Sequence, residues 1–164
     1  FERLGASPTE FGLWFSLTSI GYIIGNIVSN RYSSRIGRER FSLLGCSWCL
    51  LSIALMFLSE IPLISTPLTL ASACFMFGLG NGLILANVLV LALSSVKQKC
   101  VASASGLLGA MQMFCGAILG SLIVFLGGDN EFWLALAILF TLSIFSILCC
   151  YRGGLQSKIF RSKN

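Results

Sequence analysis

The stretch LTLASACFMFGLGNGLILANVLVLAL, residues 68–93, contains no acidic or basic side chain. A bilayer core about 30 Å thick is crossed by roughly 20 apolar helical residues, so this run reads as a membrane-spanning helix rather than a buried core helix. It also contains Asn81 and Asn87. An amide in hydrocarbon needs a hydrogen-bond partner or a wet cavity, so this helix is expected to face protein or water along part of its surface.

Four further runs of the same kind occur at residues 11–30, 41–59, 101–126 and 132–151. The chain is 56% hydrophobic and only 10% charged, with a mean hydropathy of +0.90. Soluble domains carry about a quarter charged residues, which excludes that class. The expected fold is all-α: a polytopic membrane protein of five transmembrane helices, residues 1–164 forming one domain. Pro62 and Pro67 fall in the second connection, where water can replace a lost backbone donor, and Gly127-Gly128-Asp129-Asn130 is a tight-turn signal in the fourth. The chain opens on Phe1 and its first ten residues include Glu2, Arg3, Pro8 and Glu10, so the pattern of a signal peptide is missing and the native start is expected upstream.

Five spans put the two ends on opposite sides and divide the connections into two sets. One set holds Arg31, Arg35, Arg38, Arg40, Lys97, Lys99, Arg152, Lys158, Arg161 and Lys163; the other holds only Arg3, beside Glu2, Glu10, Glu60, Asp129 and Glu131. Short basic segments stay on the cytoplasmic side, so the C-terminus and the Arg31–Arg40 segment are expected there, and the N-terminus of this chain outside. Topology therefore accounts for the net charge of +5, and membrane lipid rather than nucleic acid is the expected partner.

None of the five runs holds an Asp, Glu, Lys or Arg, so the ionisable group that marks an intramembrane proton relay is not visible. The chain has no His, and no catalytic residue, metal site or cofactor is expected. Intramembrane amides occur as Asn26, Asn81, Asn87 and Gln112, in spans one, three and four. These four are the candidate cavity residues, with Tyr22 and Met111 as possible aromatic and soft apolar additions; the alternative for each amide is a bond across a helix contact. Asn81 and Asn87 lie about 120° apart on a helix, so they cannot both face one cavity centre.

Glycines follow the same division. Gly21 and Gly25, Gly78 and Gly82, and Gly116 and Gly120 form GxxxG pairs in spans one, three and four. In span one they extend into a stripe of Thr18, Gly21, Gly25 and Ser29, and in span four into Ser105, Gly109, Gln112, Gly116 and Gly120. Such stripes let helix backbones approach closely.

These residues resemble the major facilitator superfamily and, within it, the Bcr/CflA drug-resistance branch. Ser7-Pro8-Thr9-Glu10-Phe11-Gly12, the apolar run to Gly25 and the following arginines look like the eighth helix of that family with its flanking segments. Arg35-Ile36-Gly37-Arg38 matches the R-x-G-R of the family's cytoplasmic loop, with Ser34 where an acid often stands. Gly78-Leu79-Gly80-Asn81-Gly82 with Asn87, and Ala102-Ser103-Ala104-Ser105-Gly106-Leu107-Leu108-Gly109 with Gln112, are similar to the tenth and eleventh helices. The resemblance implies helices eight to twelve of a twelve-helix inner-membrane transporter whose N-terminal half is the missing partner. It further implies drug/proton antiport by alternating access, with a drug-like small molecule and protons as ligands. Spans two and five would stand outside against lipid, and the stripes of spans one and four would pack against the absent half.

Two other functions stay open at this level. Cys46-Ser47-Trp48-Cys49 has the spacing of a thiol oxidoreductase, although a buried Cys is more often a small apolar packing residue. The chain could also be a five-helix unit acting alone, or the remnant of a transporter that no longer works.

Overall fold

The computed structural model describes residues 7–59, 66–94, 96–126 and 132–162. These form five long helices: α1 (Pro8–Ile36), α2 (Arg38–Leu58), α3 (Pro67–Ser94), α4 (Val101–Phe125) and α5 (Phe132–Ser162), with one 3-10 turn at Gln98–Cys100. All five are long and apolar enough to cross a membrane.

Local chemistry sets the helix starts. Ser7 caps α1: the Glu10 amide donates to Ser7 Oγ at 3.3 Å while the Ser7 amide donates to Glu10 Oε2 at 2.8 Å, and Pro8 supplies a first residue that has no donor to satisfy. Thr66 does the same for α3. Its Oγ1 accepts from the Thr69 amide at 3.2 Å and its amide donates to Thr69 Oγ1 at 3.1 Å, with Pro67 in the first helical position. Pro67 thus belongs to the helix rather than to the connection. Pro62 and the Gly127–Asn130 turn lie outside the described residues.

The basic segment is the clearest departure from the sequence reading. Arg31 and Arg35 lie on α1 and Arg38 and Arg40 on α2, so the expected loop shrinks to Gly37. Gly37 has φ +101°, a left-handed backbone that L side chains avoid. Its amide donates to the Ser33 carbonyl at 3.0 Å and its own carbonyl accepts from Phe41 at 3.1 Å, joining two helical ladders through one residue. The last helix likewise continues beyond residue 151 to Ser162, so Arg152, Lys158 and Arg161 sit on helix rather than on a loop.

Packing runs α1 on α3, α3 on α2, and α2 on α5, while α4 touches α3 and α5 only sparsely and has no buried residue. The buried stripe of α2 is Ser42, Gly45, Cys46, Cys49, Ser52 and Ile53, one face at steps of three and four; Leu44, Trp48, Leu51 and Leu58 are exposed. Span two therefore has a protein face as well as a lipid face, and small Ser and Cys residues build it. At one end α2 meets α5 through Phe57, whose ring lies 5.3 Å from Trp133 and 6.1 Å from Phe140.

Candidate functional site

The site rests on the α1–α3 contact. A Cβ added to Gly21 would overlap the Phe75 carbonyl oxygen, one on Gly25 the Leu79 oxygen, one on Gly78 the Thr18 oxygen and one on Gly82 the Tyr22 oxygen. Only hydrogen at these positions lets the two backbones touch, the arrangement small-xxx-small motifs provide in membranes. The stripe of span one is thus covered within the chain by α3, which corrects the expectation that it awaits a missing half. The stripe of α4 behaves otherwise: Gly109, Gly116 and Gly120 have nothing within 4 Å of an added Cβ.

Beside this contact the helices part, and Phe15, Thr18, Ser19, Tyr22 and Ile23 of α1 with Phe77, Gly78 and Asn81 of α3 line a cleft of about 380 Å³. That volume falls toward the lower end of small-molecule sites, roughly 300–1,000 Å³. Tyr22 and Asn81 lie near the middle of their apolar runs, so the cleft opens about halfway along the two helices. Phe11 stacks on Phe15 with ring centroids 5.6 Å apart, steadying one aromatic wall. No lining residue is ionisable at neutral pH, and hydrogen-bonding capacity comes from the Asn81 amide, the Ser19 hydroxyl and the Tyr22 phenol, while the Thr18 hydroxyl oxygen is itself buried.

The four candidate amides separate in space. Asn81 is exposed and lines the cleft. Asn87 is 2% exposed and donates from Nδ2 to Ser29 Oγ and to the Leu83 carbonyl, both at 2.7 Å, so its place is the helix contact and not a cavity. The 120° between the two asparagines produces this division. Asn26 is half-buried and turns its Nδ2 back to the Tyr22 carbonyl at 3.0 Å, outside the cleft lining. Gln112 is exposed on α4 and is not among the lining residues. Met111 is likewise exposed on α4, whereas Tyr22 is in the cleft wall.

Phe15, Ser19 and Phe77 escaped sequence reasoning because single aromatic and hydroxyl residues are ordinary in membrane helices. Their spacing held a signal, since Phe15, Ser19 and Tyr22 follow one another at four and three residues beside the glycine stripe.

Arg35 and Arg38 are exposed and flank Gly37 at the α1–α2 junction, away from the cleft. The two thiols of the CxxC pair, both on α2, turn to different neighbouring helices. Cys49 Sγ approaches the Phe77 carbonyl of α3 at 3.7 Å, whereas Cys46 Sγ lies 3.4 Å from Ser146 Oγ and 3.7 Å from Cys150 Sγ of α5. Both thiols of the motif are buried, which removes the accessible thiolate an oxidoreductase needs.

Comparison with known proteins agrees with this architecture. The description Major Facilitator Superfamily applies to the family matched by residues 1–160. The chain is 33% identical over 144 residues to the glucose/mannose transporter GlcP of Bacillus subtilis (strain 168), a match covering 88% of this chain and 33% of that protein. The chain therefore spans about a third of the length of this curated relative. No solved structure matches it significantly. With five apolar helices, a glycine-built helix contact and a family match along nearly its whole length, the chain belongs to the major facilitator superfamily.

Proposed function

We propose that the chain is the C-terminal part, helices eight to twelve, of a secondary transporter that carries a small uncharged solute rich in hydroxyl groups, of the sugar class, by alternating access. The observation that carries this is the chemistry of the α1–α3 cleft: uncharged donors and acceptors on Asn81, Ser19 and Tyr22 beside the aromatic rings of Phe15 and Phe77. An amide offers both donor and acceptor, which matches a hydroxyl that also does both, while a cation would find no carboxylate here. The relative named as a glucose/mannose transporter supports the same class. The missing N-terminal half supplies the opposite wall and any proton-coupling group. The basic junction at Gly37 faces the cytoplasm, and the membrane is the inner, plasma membrane.

Drug/proton antiport is the second reading, favoured by the aromatic lining and by exposed Met111 and Met113 on α4, which suit a bulky apolar ligand. Transport by the full-length protein in proteoliposomes separates the two. Saturable uptake of labelled glucose or mannose, competed by the unlabelled sugar, supports the first. Failure to move either sugar, with efflux of a lipophilic cation driven by a pH gradient, would overturn it.

A further inference from the structure

The thiol motif noticed in the sequence has a partner that no spacing rule points to. Cys46 on α2 and Cys150 on α5 are 104 positions apart, yet their sulfurs lie 3.7 Å from each other, and both are free. Cys46 is 2% exposed and Cys150 is partly exposed. Cys49, the other half of the CxxC, is directed to the Phe77 carbonyl of α3 instead. The two helices are also joined by the Phe57 ring against Trp133 and Phe140, so the sulfurs belong to an extended contact rather than to a chance approach of two helix ends. Cys46 is about 12 Å along α2 from Arg38, and Cys150 is adjacent to Tyr151 and Arg152, so the pair sits toward the basic end of the bundle.

We propose that Cys46 and Cys150 form a peroxide-driven crosslink site that ties α2 to α5. The partly exposed Cys150 sulfur attacks one oxygen of hydrogen peroxide, the O–O bond breaks, and Cys150 becomes a sulfenic acid with release of one water. The Cys46 sulfur then attacks the Cys150 sulfur, the S–O bond breaks, and the hydroxyl leaves with the Cys46 proton as a second water. Two thiols have lost two electrons and two protons to one peroxide. Bond formation shortens the sulfur–sulfur gap from 3.7 Å to about 2.05 Å. Neither cysteine lines the α1–α3 cleft, so the site is a modification site and not a part of solute binding.

The test uses the full-length protein in native membranes, treated with hydrogen peroxide, blocked with N-ethylmaleimide, digested without reduction and analysed by mass spectrometry. The expected result is a linked peptide pair containing Cys46 and Cys150, on a protein that stays monomeric in non-reducing gels. The link persists in Cys49→Ser and Cys149→Ser and is lost in Cys46→Ser and Cys150→Ser. Absence of the link while exposed Cys100 is oxidised overturns the proposal, as does linkage of Cys46 to Cys49 or Cys149, or a bond between two copies. Mapping on the unsubstituted protein decides the matter even if a serine variant fails to fold.

Discussion

Asn87 on α3 donates its Nδ2 to the Ser29 hydroxyl on α1 at 2.7 Å, and both side chains are almost wholly buried. This bond closes the contact that the glycines open. It places an amide that could have lined a cavity inside the helix pair on which the cleft is built.

Removing the bond should loosen that pair. Interhelical hydrogen bonds in membranes are worth about 0.6 kcal/mol on average and reach roughly 1.7 kcal/mol. A double-mutant cycle of Asn87→Ala and Ser29→Ala, read by equilibrium unfolding of the full-length protein in mixed micelles, should give a coupling in that range. A coupling of zero would show that the bond does not hold α1 to α3.

Glycine substitutions should divide by position. Gly78→Ala and Gly82→Ala press a methyl group onto the Thr18 and Tyr22 carbonyl oxygens, backbone atoms that cannot move aside without separating the helices. Overpacking of this kind costs typically about 1–3 kcal/mol. Gly12→Ala, in open space on α1, should be neutral or gain up to about 1 kcal/mol from helix propensity. Thermal unfolding of the three variants checks the order.

Asn81→Ala should weaken solute binding without unfolding the helix, because the side chain is exposed and lines the cleft. Loss of a neutral hydrogen bond is worth about 0.5–1.5 kcal/mol, which raises KM by up to about tenfold. Uptake kinetics in proteoliposomes measure it, with Asn87→Ala as the contrast whose defect appears in unfolding. An unchanged KM would remove Asn81 from the site.

Gly37→Ala should destabilise the α1–α2 junction by about 1–3 kcal/mol, since φ +101° is strained for any residue with a Cβ even though space is open there. A lowered Tm for this variant, beside an unchanged one for Gly12→Ala, is the expected outcome.

On the proposed topology the arginines around Gly37 act through charge. Arg35→Lys with Arg38→Lys should leave transport unchanged, because both side chains are exposed and Lys keeps the charge that orients the chain. Replacing Arg31, Arg35, Arg38 and Arg40 together by Gln should scramble orientation. Labelling of exposed Cys100 by an impermeant maleimide from either side reads it. A transport defect in the Lys double variant would instead require the planar, forked guanidinium.

By itself the sequence determined that the chain is all-helical and carries five apolar helices long enough to cross a membrane, because the cost of placing charge in a bilayer depends on composition along the chain rather than on contacts. It also marked which helices hold polar groups and small residues. Only the tertiary structure decided which partner each of these met. A GxxxG stripe looks the same whether α3 covers it, as at Gly21 and Gly25, or nothing does, as at Gly116 and Gly120. Asn81 and Asn87 are the same residue on the same helix, and the direction from which α1 approaches leaves one in the cleft and buries the other. The α2–α5 contact was hidden for a related reason: Ser42, Cys46, Cys49 and Ser52 are uncharged and small, so a helix that seemed apolar all round carried a packing face that appears only once α3 and α5 are in place.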